Sequence, residues 1–135
     1  MLKQRILMTR INLMNWTTII VIAFIVAAFL LVSKGGQISA KEAATYLKNG
    51  ALVIDVRTPG EFNSRHLTNA INIPLDEINS VLPQRVKDKN QVLLLHCQSG
   101  MRSGVAQKKL ISLGYTNSFN LGSYGRAESI LKQQP

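Results

Sequence analysis

Val92, Leu93, Leu94 and Leu95 follow one another without a break inside residues 91–96, and the run stops at Cys97. Adjacent aliphatic side chains on an extended chain point to opposite sides. Such a run therefore marks a strand covered on both faces, as in a parallel sheet. Parallel strands need crossover connections, usually helical. Residues 51–56 form a second apolar run broken only by Asp55, residues 70–74 a short third ending at Pro74, and residues 118–121 a weaker fourth. Helical patterns lie between them. Ser39 with Glu42 three residues on is a capping box, followed by Ala43, Ala44 and Leu47 and closed by Asn49-Gly50. Residues 75–82 have apolar groups at helical spacing before Pro83, and Val105, Ala106, Leu110 and Leu113 repeat at helical intervals up to Gly114. Thr58-Pro59-Gly60 is expected to break the preceding strand, and residues 124–135 to form a short last helix. The alternation predicts an α/β fold, a parallel sheet flanked by helices on both faces, with ligands beyond the carboxyl ends of the strands.

The N-terminal part has a different character. No residue from Ile11 to Ser33 is ionisable, and residues 16–32 as a helix would reach about 26 Å, close to the thickness of a bilayer core. Trp16 suits the headgroup region at one end, and Lys34 with Gly35-Gly36 ends the stretch. The length of this region and the lack of a small-x-small site, spoiled at Ile38-Ser39-Ala40, favour an uncleaved anchor over a removed signal. The expected layout is a basic segment over 1–15, one transmembrane helix over 16–33, a linker over 34–38 and a folded domain over 39–135. The flanking charges, Lys3, Arg5 and Arg10 against Lys34, Lys41 and Lys48, are nearly balanced. The expectation is a single-pass protein of a bacterial-type cell membrane, with the domain outside the cytoplasm.

The chain of 135 residues carries sixteen basic and seven acidic side chains, a formal charge of +9. Three of the bases precede the apolar stretch, and the rest are scattered rather than clustered. A small anionic substrate fits that distribution, and no nucleic-acid partner is expected. One cysteine, Cys97, excludes an intrachain disulfide and a structural thiolate zinc site. No metal and no cofactor is expected.

The segment Cys97-Gln98-Ser99-Gly100-Met101-Arg102-Ser103 runs from the end of a buried strand into a helix. Small residues and a glycine allow it to curl so that backbone amides converge at the positive end of the helix. That arrangement stabilises an anion and lowers the pKa of a thiol at its centre. Cys97 is thus the candidate nucleophile, and Gln98 to Ser103 the candidate substrate-binding loop. Arg102 offers a planar fork for an oxyanion or for loop carbonyls. Ser103 is expected to cap the following helix, with a hydroxyl bond to the thiolate as its second possible role.

This loop resembles the active-site loop of rhodanese-like domains, in which four residues separate the cysteine from the arginine; the related dual-specificity phosphatases carry five. A second matching segment runs through Asp55-Val56-Arg57-Thr58-Pro59-Gly60-Glu61-Phe62, then His66-Leu67, Ala70 and Asn72-Ile73-Pro74. The likeness covers about residues 39–122 and is strongest to small phage-shock-type exported rhodaneses. Arg65 stands where most members have glycine, and Gly122-Ser123 where a double glycine is usual. The resemblance implies a sulfurtransferase that moves a sulfane sulfur from thiosulfate or a persulfide donor, through a Cys97 persulfide, to a thiol or cyanide acceptor. From the residues alone, an activated cysteine in an anion-binding loop also suits a small phosphatase or arsenate reductase. A non-catalytic membrane-tethered interaction module is a third reading. Asp55, Arg57, Glu61 and His66 form a possible secondary set. The structural expectation is that Asp55 bonds backbone donors or Arg57, while Glu61 and His66 secure the connecting segment. His96 is expected to pack on the side of its strand opposite to the chemistry.

Overall fold

A computed structural model describes residues 15–29 and 36–133. The chain divides into two units, residues 1–35 and 36–135. Within the first, helix α1 spans residues 15–29, and its large apolar side chains, among them Trp16, Ile19, Ile22, Phe24 and Ile25, are exposed. The membrane-spanning helix expected over 16–33 is not found: no helix among the described residues is long and apolar enough to cross a membrane. Fifteen residues of α-helix reach about 22 Å, short of a bilayer core of about 30 Å. Residues 30–33 of the expected span lie outside the described residues.

The second unit alternates as expected. Its elements are α2 (Ala40–Lys48), β1 (Leu52–Asp55), α3 (Pro59–Ser64), β2 (Ile71–Asn72), α4 (Ile78–Arg85), β3 (Leu93–Cys97), α5 (Met101–Ser112), β4 (Ser118–Ser123) and α6 (Tyr124–Lys132). The four strands are parallel, in the order β2-β1-β3-β4. Because β3 is central, its side chains feed two cores, as the unbroken aliphatic run requires. Leu93, Leu95 and Cys97 pack with Ile78, Leu82, Ala106, Leu110 and Tyr115 under α4 and α5. Leu94 packs with Ala43, Leu121, Ala127 and Ile130 under α2 and α6. Truncating one of these leucines to alanine costs about 2–5 kcal/mol.

Local chemistry sets the helix starts. Ser39 accepts from the Glu42 amide while the Glu42 carboxylate reaches back to Ser39, so α2 begins at the predicted capping box. Thr58 and Glu61 make a second capping box with Pro59 in the first turn. Thr58-Pro59-Gly60 therefore does more than end β1: it opens α3, a helix that the strand-breaking expectation missed although the same Thr-x-x-Glu signature was present. The helix expected over 75–82 is displaced towards the C-terminus and takes in Pro83.

The winding reverses between β1 and β3, since β2 lies beyond one and β4 beyond the other. Open parallel sheets bind ligands outside the strand carboxyl ends at such a reversal. Cys97 stands there.

Candidate active site

Cys97 closes β3, with its side chain buried. Gly100 takes φ 94°, a left-handed conformation that glycine adopts without a Cβ clash, and so folds the loop back over the sulfur. A Cβ there would also approach the backbone of Gly122 to 3.3 Å. The Gly100 amide donates to Cys97 Sγ at 3.1 Å, and Ser103 Oγ lies 3.6 Å from the same sulfur. Burial pushes the thiol pKa up, but the Ser103 hydroxyl and the amides of Ser103, Gly100 and Ser99 outweigh it, and the net shift is downward. The group at the loop centre is therefore biased towards thiolate. Gln98, Ser99 and Met101 are exposed around it.

Ser103 is not the helix cap expected of it. Gly100 occupies that position, and α5 starts at Met101. Ser103 lies in the first turn, is buried, and its hydroxyl faces Sγ, the Gly100 carbonyl at 3.1 Å and Asn120 Oδ1 at 2.8 Å. Arg102 also departs from expectation. Its guanidinium makes a bidentate pair with Glu61, both bonds 2.8 Å, rather than bonding loop carbonyls. Glu61 Oε2 further accepts from the Thr58 amide at 3.0 Å and hydroxyl at 2.9 Å. This carboxylate thus caps α3 and latches it to the start of α5. Arg102, followed by the Thr58 amide, holds the Glu61 carboxyl far below the usual carboxylate range.

The rest of the secondary set sits apart from the sulfur. Asp55 is buried and accepts from the Arg57 amide at 2.9 Å and from its guanidinium at 2.6 Å, and Arg57 Nη2 also donates to the Arg65 carbonyl at 2.7 Å. His66 is exposed, stacked on Phe62 at 4.3 Å and within 3.0 Å of the Phe62 carbonyl through Nδ1. His96 is buried with its Nε2 3.7 Å from Asp55 and its ring edge-on to Tyr124. Burial drives its pKa down, against the pull of Asp55. Arg65, the residue in a glycine's usual place, lies over the Tyr124 ring at 4.7 Å, as Arg57 does at the same distance, and pairs with Glu128 at 2.8 Å.

Four more residues lie beside the loop, and of these only Gly122 was singled out in the sequence. Gln37 pairs with Asn120 as an isolated bridge and packs its side chain against Gly100 and Gly122. Gly122 takes φ 101° where β4 carries one extra residue opposite Leu95 and His96. Asn120 holds Ser103, and Tyr124 donates its amide to the Gln98 carbonyl at 3.3 Å. A cavity of about 540 Å³ lies elsewhere, between Leu47, Ala51, Leu52, Asn69 and Leu131. Lys48 and Thr68 also line it, but the activated sulfur is Cys97, so the chemistry is assigned to the loop. Among the described residues no group of acidic, histidine or cysteine side chains is arranged to hold a metal ion.

The profile of the rhodanese-like domain family matches residues 39–125. The chain belongs to this family. It is similar to the thiosulfate sulfurtransferase PspE of Escherichia coli, with 41% identity over 69 residues that cover 51% of this chain and 66% of PspE. The chain spans about two thirds or less of the curated relatives it matches first, the other two shares being 40% and 55%. A structure described as a rhodanese with anions from E. coli superposes with TM-score 0.55 and 36% identity, covering 57% of this chain and 91% of that one. The human single-domain sulfurtransferase TSTD1 superposes with TM-score 0.60 and 26% identity over 75% of this chain and 99% of its own. These matches carry the rhodanese-type α/β sheet.

Proposed function

We propose that this domain is a sulfurtransferase working through a Cys97 persulfide. The observation that carries the reading is the Cys97 sulfur, buried within a four-residue loop whose amides and Ser103 hydroxyl favour its thiolate. The thiolate attacks the sulfane sulfur of thiosulfate, the S–S bond of the donor breaks, and sulfite leaves with the bonding electron pair. Cys97 then bears one extra sulfur. A thiolate or cyanide attacks that outer sulfur, takes it, and returns Cys97 to thiolate. The amides of Ser99, Gly100 and Ser103 suit the negative charge that stays at the loop centre throughout both steps. Arg102 supports the loop through Glu61. The likeness to PspE supports thiosulfate as donor, and the four-residue spacing favours sulfur over a phosphoryl group. The test is cyanide-dependent thiocyanate formation from thiosulfate by the full-length protein in detergent. Hydrolysis of an aryl phosphate without thiocyanate would support the phosphatase reading instead.

The same proposal includes a tether: residues 16–33 hold the domain to a bacterial-type membrane, on the side away from the cytoplasm. The uncharged stretch from Ile11 to Ser33 and the exposed apolar surface of α1 support it. The full-length protein should stay in the membrane fraction at alkaline pH, and external protease on spheroplasts should digest the domain. Release at alkaline pH removes the tether, and protection reverses its orientation.

A further inference from the structure

Ser103 has one hydroxyl proton and three acceptors within reach: Asn120 Oδ1 at 2.8 Å, the Gly100 carbonyl at 3.1 Å and Cys97 Sγ at 3.6 Å. It can serve one well at a time. Two of the three have other donors. Asn120 Oδ1 also accepts from the Gly122 amide at 2.9 Å. The Gly100 carbonyl accepts from the Gly104 amide and from Asn120 Nδ2, each at 3.1 Å. If the hydroxyl turns away from them, neither oxygen is left bare.

We propose that Asn120 is a positioning residue for Cys97: its carboxamide oxygen holds the Ser103 hydroxyl while the sulfur is protonated and yields it to the sulfur when the thiolate forms. The proposal rests on the reading of Cys97 as the nucleophile. In the thiol state the S–H can point at Ser103 Oγ while the Ser103 hydroxyl donates to Asn120, a short relay in the order sulfur, hydroxyl, carboxamide. In the thiolate state the charged sulfur is the stronger acceptor and the hydroxyl reverses towards it. No heavy atom has to move far, because Asn120 is buried and its main chain is held from the other side. Ile38 donates its amide to the Asn120 carbonyl at 3.0 Å, and Gln37 bridges the same residue. The Ser103 hydroxyl is also the largest single influence that lowers the Cys97 pKa, so what competes for it sets the thiolate fraction.

The sign follows from which state owns which bond. The Ser103–Asn120 bond belongs to the thiol state alone, so removing Asn120 Oδ1 weakens that state and favours thiolate. The Asn120–Gly100 bond is common to both states and largely cancels. Of the neighbouring charges, Arg102 of α5 pairs with Glu61 of α3 and also faces the Cys97 sulfur, an influence that all the compared variants retain, while Asp55 at the end of β1 is committed to Arg57 and Arg126 of α6 to the carbonyls of Leu121 and Ile38. His96, on the opposite face, neighbours Asp55.

The test is the pH dependence of Cys97 alkylation by iodoacetamide, measured on full-length wild type, Asn120→Ala, Ser103→Ala and the double variant, with circular dichroism to confirm folding. Asn120→Ala should move the midpoint down by about half to one pH unit, as expected for one neutral hydrogen bond. Ser103→Ala should move it up, and in that background Asn120→Ala should leave it unmoved. A midpoint that stays or rises in Asn120→Ala overturns the proposal, and so does an equal shift in both backgrounds, which is what mere loosening of the loop would produce. Should Asn120→Ala not fold, an unmoved midpoint in Ser103→Ala alone overturns it. Alkylation needs no sulfur donor. A wild type that fails to transfer sulfur therefore sinks the proposed reaction and leaves this test intact.

Discussion

Glu61 joins two helices whose starts frame the candidate site, so its replacement separates two effects that one carboxylate combines. Glu61→Gln keeps a side-chain oxygen for the Thr58 amide, because glutamine serves at this capping-box position as well as glutamate does. It loses the charge that pairs with Arg102. Both partners are 35% exposed, so solvent screens the pair, and its loss should cost about 0.5–1 kcal/mol despite the bidentate geometry. Glu61→Ala removes the cap as well, adding about 1 kcal/mol. For a domain of about 100 residues each kcal/mol corresponds to about 4–8 °C in Tm, so the two variants should melt in clearly separated steps below wild type. The pH dependence has a definite sign. The folded pKa of Glu61 lies below the ordinary value of 4.5, so its contribution is present above 4.5 and lost as pH falls towards the folded value. Wild type and Glu61→Gln should therefore converge in stability as the solution is acidified from 4.5 downward. Thermal melts from pH 7 to pH 3 read this directly. Equal melting temperatures for Glu61→Gln and Glu61→Ala, or a gap to wild type that does not shrink in acid, would refute the division between pair and cap.

Arg102→Lys keeps a charge but cannot make both bonds to Glu61, so turnover with thiosulfate should fall several-fold while the fold survives; unchanged turnover would mean that the loop amides suffice without the latch. Gly100→Ala forces a side chain onto a left-handed backbone, with its Cβ 3.3 Å from Gly122; thiocyanate formation should drop, and thermal melts should show a stability loss of about 1–2 kcal/mol. Cys97→Ser should abolish sulfur transfer, and mass spectrometry after thiosulfate treatment should find an adduct of one sulfur, about 32 Da, on wild type and none on the variant. An adduct on the serine variant would remove Cys97 from the mechanism.

Much of the fold was legible because its signals are local. The aliphatic run ending at Cys97, the Ser39–Glu42 box and the glycine stop at Gly114 each depend on neighbours within about four positions, the range over which backbone periodicity and capping act. The Thr58–Glu61 box was equally local, but Thr58-Pro59-Gly60 was read only as the end of β1, so α3 emerged only with the structure. The loop chemistry was local too, since a strand end, a left-handed glycine and a helix start are adjacent in sequence. Tertiary structure decided what the loop's side chains do. Arg102 meets Glu61 across 41 positions, and Ser103 meets Asn120 across 17. These meetings follow from the strand order β2-β1-β3-β4, which sets β3 between β1 and β4 and brings α3 and β4 up against the start of α5. Hydrophobic periodicity specifies which face of a strand is buried, not which strand lies beside it. The candidate nucleophile was therefore visible in the sequence, while the partners that hold its arginine and its serine were not.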